Sequence, residues 1–287
     1  MKRIIELFAE TLRLSLTDEG EGRPHLLLHG GAGPASISGL GRALLPGSRV
    51  ITPTHPGFNG EPRPERFARI DDLATAYLAL IERLDLQDVV VIGTSVGGWI
   101  AAEMALRQSP RLAAIVLINS VGIETGTPVL AIANPITATP AERGAMAFHD
   151  PQKFAIAPSG PEAAAAMAAN QKTLGVYAGE PFMHEPTLRS RLAEMRVPAL
   201  VIWGTSDRVV DADYGRLLAD SIPGARFALV ERAGHFPQIE RLDEVVRLVR
   251  DFNDAIETEA GDSARLARSR PGLSGPKPRR HPARQNT

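Results

Sequence analysis

The sequence predicts an α/β protein: a doubly wound, mostly parallel β-sheet with helices on both faces. Two observations carry this. Short apolar runs, many rich in β-branched residues, recur along the chain, each closed by Gly, Pro or a small polar residue. Between them lie segments with apolar residues at helical spacing. Strands that are apolar at nearly every position suit a parallel sheet covered on both sides.

The elements follow in order. TLRLSLTDEGEG (11–22) alternates and then turns, as an antiparallel edge hairpin with the opening segment does. The strands after it are HLLLHG (25–30), RVITPT (49–54), DVVVIG (88–93), LAAIVLIN (112–119), PALVIWG (198–204) and ARFALVE (225–231). From Ile70 to Leu84 the residues Ile70, Leu73, Ala74, Tyr77, Ile81 and Leu84 fall on one helical stripe. Asp71 and Asp72 begin that helix and Arg83 ends it, as the helix dipole prefers. Helices are also expected over Val96–Arg107 and Gln238–Ile256. Residues 123–192 break the rhythm: they hold Pro-bounded, Ala- and Met-rich stretches and read as a helical insertion. Beyond 257 the chain turns basic, lacks core-forming residues, and is expected to be a disordered tail.

Composition narrows the function classes. The net charge of −1 hides an asymmetry: Gly261–Thr287 carries seven Lys/Arg and one Asp, leaving 25 basic against 32 acidic groups in residues 1–260. Nucleic-acid binding needs a basic face on the folded part, and here the basic excess is confined to the tail, so no nucleic-acid partner is expected. The absence of cysteine excludes disulfides, thiolate metal sites and a cysteine nucleophile, and fits a reducing cytoplasm. Glu6 and Glu10 interrupt what a signal peptide would need, and no apolar run reaches the roughly 18–20 residues of a membrane span. The expectation is a cytoplasmic protein acting on a small molecule, with a homodimer compatible with the sequence and neither metal nor cofactor implied.

GTSVGG (93–98) follows the strand DVVVIG and opens the helix VGGWIAAEMALR. That context is the one a nucleophile elbow requires, with Ser95 on a tight strand-to-helix turn and Gly93 and Gly97 at −2 and +2. A serine is unreactive at neutral pH unless a base takes its proton. His235, in AGHFPQIE just past the last strand, is the candidate base. Asp207, in WGTSD after the strand PALVIWG, is the candidate carboxylate that orients it. Asp211 and Asp213 are rivals, better explained as helix-start carboxylates. HGGAGP (29–34) supplies a glycine loop whose backbone can approach a tetrahedral intermediate. The expected oxyanion donors are the N–H groups of Gly31 and Val96, with Ala32 as the alternative to Gly31. Gly30, Ala32, Thr94, Trp99, Phe148, Phe182 and Phe236 are the expected substrate-binding residues.

Together HGGAGP (29–34), THPGFNG (54–60), GTSVGGW (93–99), WGTSD (203–207) and AGHFPQIE (233–240) resemble the α/β-hydrolase superfamily over roughly residues 10–256. The resemblance implies an eight-stranded, mostly parallel sheet with a small helical cap inserted after the sixth strand. It implies a core of residues 1–122 and 193–257, a cap of 123–192, a tail of 258–287, and acyl-enzyme chemistry without a cofactor. Ser95 stands where dehalogenases and epoxide hydrolases of this fold carry aspartate. Members that cleave carbon–carbon bonds of ring-fission products resemble the chain in HGG and the elbow. They usually carry Asn where Thr94 stands, and a cap Arg near a Trp; Arg189 and Arg191 are the candidates here, and the cap has no Trp. The expected reaction is hydrolysis of a small to medium, partly apolar carboxylic ester. The alternatives are carbon–carbon bond hydrolysis of a ring-fission-type diketo acid, or a lyase or ligand receptor on the same fold.

Overall fold

A computed structural model describes residues 2–126, 132–134, 137–155 and 160–269. Its centre is one eight-stranded sheet in the order β1-β2-β4-β3-β5-β6-β9-β10. The strands are β1 (Lys2–Leu7), β2 (Leu12–Glu19), β3 (Arg23–Leu28), β4 (Ser48–Pro53), β5 (Val89–Thr94), β6 (Leu112–Ile118), β9 (Ala199–Gly204) and β10 (Arg226–Val230). The β1/β2 hairpin and the β2/β4 pairing are antiparallel, and every other pairing in the sheet is parallel.

Alternation along the buried strands splits the core into two layers. Leu26, Leu28, Val89 and Val91 face α2 (Ile70–Arg83), α3 (Val96–Leu106) and α8 (Ala212–Asp220), while Leu27, Val90 and Ile92 face α1 (Ser38–Leu44) and α10 (Leu242–Ser269). β4 lies on one side of β3 and β5 on the other, so the loops after β3 and β5 part at a crevice above the carboxyl edge. That reversal sets the glycine loop at 29–34 beside the turn that carries Ser95.

The segment between β6 and β9 holds α4 (Pro140–Ala147), α5 (Pro151–Phe154), α6 (Pro161–Ala178) and α7 (Leu188–Arg191). It also holds a two-residue parallel pair, β7 (Gly122–Ile123) with β8 (His184–Glu185), which no sequence pattern announced. The helix expected over Gln238–Ile256 is two: α9 (Pro237–Glu240) and α10, parted by the non-helical backbone of Arg241.

The tail expected to be disordered from 258 needs correction, because α10 continues to Ser269. Residues 258–269 contain no proline and several good helix formers, and extending a helix adds one hydrogen bond per residue fixed. The rest of the expected tail, 270–287, lies outside the described residues, as does part of the expected insertion. No described helix is long and apolar enough to cross a membrane.

Candidate active site

Ser95 occupies the first turn after β5 with φ 53° and ψ −120°, a region that side chains other than glycine rarely enter. The surroundings hold it there. A Cβ on Gly93 would overlap the backbone of Gly97 and Gly98, and one on Gly97 would overlap the Leu28 and His29 carbonyls. Ser95 follows the carboxyl end of β5 and is 9% exposed.

The histidine and aspartate arrive from the next strands along the sheet. His235 Nδ1 donates to Asp207 Oδ2 at 2.8 Å, with both side chains buried. Asp207 Oδ1 accepts from the N–H groups of Val209 (2.8 Å) and Val210 (3.1 Å), and Oδ2 also accepts from Asn119 Nδ2 (2.6 Å). Four donors on one carboxylate leave it no freedom to turn. With Nδ1 carrying the proton, Nε2 of His235 is the basic nitrogen. Among the described residues no hydrogen bond occupies Nε2 or Ser95 Oγ.

Asp211 accepts from Tyr214 N–H at 2.9 Å and caps α8, and Asp213 sits in the first turn of that helix. Asn119 has no motif around it, yet it holds the site together. Its Oδ1 accepts from Gly204 N–H (3.2 Å) while Nδ2 serves Asp207, so one amide joins the ends of β6 and β9. The only signal available in advance was a polar residue closing an apolar strand at the same sheet edge.

Opposite lies the glycine loop. A Cβ on Gly30 would come within 3.0 Å of Ser95 Cβ, so the loop and the turn that carries Ser95 are in contact. Among the described residues the N–H groups of Gly31, Ala32 and Val96 are not taken up by any turn or cap. Beneath the loop is a buried chain of side chains that the sequence did not announce. Tyr77 O–H donates to His55 Nδ1, His55 Nε2–H to the His29 carbonyl (2.8 Å), and His55 N–H to His29 Nε2 (3.0 Å). His29 Nδ1–H then donates to the Gly30 carbonyl at 2.8 Å. Each ring is neutral with one tautomer, and burial pushes His29 down to about 4 and His55 well below the usual imidazole range.

The expected substrate-binding residues divide. Gly30 is buried against Ser95, and Ala32 is exposed on the loop. Thr94 and Trp99 are packed into the core, where Thr94 Oγ1 and Trp99 Nε1 have no hydrogen-bond partner among the described residues. Phe236 stands edge-on to His235 with centroids 5.3 Å apart, and Phe148 packs on Phe236 at 5.3 Å. Phe182 is half-buried against the main core. The two arginines considered for substrate binding are placed elsewhere. Arg191 grips the buried Glu103 on α3 through two bonds (3.0 and 2.6 Å), and Arg189 lines a surface groove beside Pro186 and Asp220. Among the described residues no three His, Asp or Glu side chains converge as metal ligands.

Comparison with known proteins adds the family. Residues 26–248 match the alpha/beta hydrolase family. The chain is 31% identical over 272 residues to a 2-hydroxymuconate semialdehyde hydrolase of Pseudomonas putida, covering 86% of this chain and 92% of that protein. It is 27% identical to a 2-hydroxy-6-oxo-6-phenylhexa-2,4-dienoate hydrolase of Burkholderia cepacia, covering 84% and 91%. The crystal structure of a meta-cleavage product hydrolase variant superposes with a TM-score of 0.73 at 25% identity, over 88% of this chain and 98% of that one. These relatives overturn the carboxylic-ester substrate expected from the sequence. Their names are those of oxo-dienoate and meta-cleavage product hydrolases, which was the alternative reading.

Proposed function

The chain belongs to the alpha/beta hydrolase family, and from that premise we propose that it hydrolyses a carbon–carbon bond in a 2-hydroxy-6-oxo-dienoate, with Ser95 as nucleophile, His235 as base and Asp207 orienting the base. The observation that carries the substrate class is the 31% identity, across nearly the whole of both chains, to a hydrolase acting on 2-hydroxymuconate semialdehyde. A dienoate of that skeleton contains no ester, so a hydrolase must break the bond beside its 6-oxo group.

The chemistry follows from the substrate and the site. Moving the 2-hydroxyl proton to C5 turns the dienol into a 2,6-dioxo acid and makes C5 a potential leaving group. His235 Nε2 takes the Ser95 proton as Oγ adds to C6. The resulting oxyanion is held by the N–H groups of Gly31 and Val96, where loss of one such donor costs about 2.7–4 kcal/mol. The C5–C6 bond then breaks, its electron pair passing into the conjugated 2-oxo-enoate as a dienolate, which takes the proton from the His235 imidazolium and leaves as the dienol. Neutral His235 then takes a proton from water as its oxygen adds to the acyl C6, and returns that proton to Ser95 Oγ as the C6–Oγ bond breaks and the carboxylic acid leaves. Asp207 keeps Nδ1 protonated throughout and stabilises the imidazolium. The steps above use neither Thr94 nor a cap Trp, the two features in which the sequence departs from that branch.

The test is turnover of 2-hydroxy-6-oxo-6-phenylhexa-2,4-dienoate by the purified protein, followed by loss of the dienolate absorbance, beside p-nitrophenyl acetate. The expected result is the higher kcat/KM on the dienoate, abolished in Ser95→Ala, with fluorophosphonate labelling of the parent lost in the same variant. Faster turnover of the ester, or dienoate turnover that survives Ser95→Ala, sinks the reading.

A further inference from the structure

One of the places where the segment between β6 and β9 meets the core is at the two loops that carry Asp207 and His235, and much of that seam is backbone. His235 N–H donates to the Ala147 carbonyl at 2.7 Å, and Arg208 N–H to the Met146 carbonyl at 3.1 Å. The Arg208 guanidinium adds a bond to the Ala145 carbonyl (2.8 Å), and the His149 ring one to Ser206 Oγ (2.8 Å). A side chain at 234 would overlap the Ala147 carbonyl, so glycine there lets the two backbones touch.

Across the seam stands the carboxylate of Glu240, at the end of α9. Its Oε2 accepts from Gly234 N–H (2.6 Å) and His149 N–H (3.1 Å), and its Oε1 from Asp150 N–H (3.0 Å). Three backbone donors from two distant stretches of chain converge on one half-buried carboxylate. Bonds to a charged acceptor are about twice as strong as neutral ones, and here one lies on the residue next to His235. No other side chain among the described residues bonds both to the 233–236 loop and to residues 145–150.

We propose that Glu240 is a positioning residue, fixing the backbone of His235 against residues 145–150 so that docking of this segment and placement of the imidazole are a single event. The inference rests on His235 being the base. Removing the clamp leaves the His235 backbone tied to residues 145–150 by its single bond to the Ala147 carbonyl, and a displacement of about 1 Å at a reacting group can cost 10²-fold.

The test compares Glu240→Ala and Glu240→Gln in the full chain, reading kcat and KM on 2-hydroxy-6-oxo-6-phenylhexa-2,4-dienoate and the low-field proton resonance of His235 Nδ1–H. Glutamine can keep an oxygen on Gly234 and His149, while it gives up the charge and turns its amide NH2 toward the Asp150 N–H. Alanine is expected to lower kcat roughly tenfold to a hundredfold with KM shifted less than about threefold, and glutamine to stay within about threefold of the parent. The His235 resonance should broaden or move in the alanine variant alone. Alanine within about twofold of the parent in kcat, or alanine and glutamine equally impaired, overturns the assignment. Should alanine fail to fold, Glu240→Asp replaces it: one methylene too short for the three donors, it is expected to fall below glutamine, and the reverse order overturns the proposal. Failure of the functional reading looks different, since Ser95→Ala would then turn over like the parent; the imidazole resonance then decides the Glu240 assignment by itself.

Discussion

Asn119 shows how much of the site rests on a residue without a motif. The amide is buried and serves Asp207 and Gly204 at once, so its removal frees one face of the carboxylate and leaves a buried N–H unpaired. Asn119→Ala should therefore lower kcat about tenfold and cost about 1–3 kcal/mol of stability, read together by turnover and urea unfolding. A variant with the parent's kcat would show that the remaining three donors suffice. The placement of Ser95, Asp207 and His235 after β5, β9 and β10 was legible because each lies at a fixed distance from the end of an apolar strand. Asn119 and the His29–His55–Tyr77 chain were not, because their partners are far away in sequence. The buried imidazoles carry a second prediction. Burial holds His25 and His29 at about 4, and His55 also titrates well below its usual range. In the unfolded chain all three take up protons near pH 6.5, so between that pH and about 4 the unfolded state binds more protons. Stability should be flat above pH 6.5 on their account and fall below it, by up to ~1.4 kcal/mol per pH unit for each ring. Urea midpoints at pH 7.5, 5.5 and 4.5 measure this, and a flat profile would contradict the neutral buried rings.

At the scale of elements, the strands and the helices α2 and α3 follow their apolar patterns to within a residue or two, because each buries a face against the sheet. α6 does not show such a stripe. Its docking face is Asn170, Thr173, Leu174 and Tyr177, and three of these bond to residues 56–59: Asn170 Oδ1 accepts from Asn59 N–H (2.7 Å), Thr173 donates to Gly57 O (2.8 Å) and Tyr177 to Pro56 O (3.1 Å). A helix that binds backbone rather than core leaves a polar signature, which hydrophobic periodicity cannot detect. β7 and β8, at two residues each, are too short for any alternation to register. The link between α7 and α3 separates two roles for an arginine. Arg191 pairs with Glu103, whose side chain is 5% exposed, while the arginine itself is partly solvated. Arg191→Ala should cost about 1–3 kcal/mol, below a fully buried pair because Arg107 also faces Glu103 and water reaches the guanidinium. KM for the dienoate should stay near the parent's. A large rise in KM without loss of stability would return Arg191 to substrate binding.

The whole molecule is organised around one crossing. α3 is buried along nearly its full length, lies against β3, β5 and β6, and begins at the strained serine. Its approach to the sheet is set by glycine. Gly97 has no room for a Cβ, because the Leu28 and His29 carbonyls already occupy that space, and both belong to backbone that cannot rotate aside. In an exposed helix, exchange of glycine for alanine stabilises by roughly 0.5–1 kcal/mol. At position 97 the sign should reverse. The helix would have to lift from β3, parting Ser95 from the glycine loop and opening the core that α3 shares with α2. Gly97→Ala is expected to lose about 3 kcal/mol or more together with turnover, since overpacking against rigid backbone has no cheap relaxation. Thermal unfolding and kcat on the same preparation measure both. An alanine variant as stable as the parent would mean that α3 can ride higher without harm, and that the close crossing is not what binds the nucleophile turn to the fold.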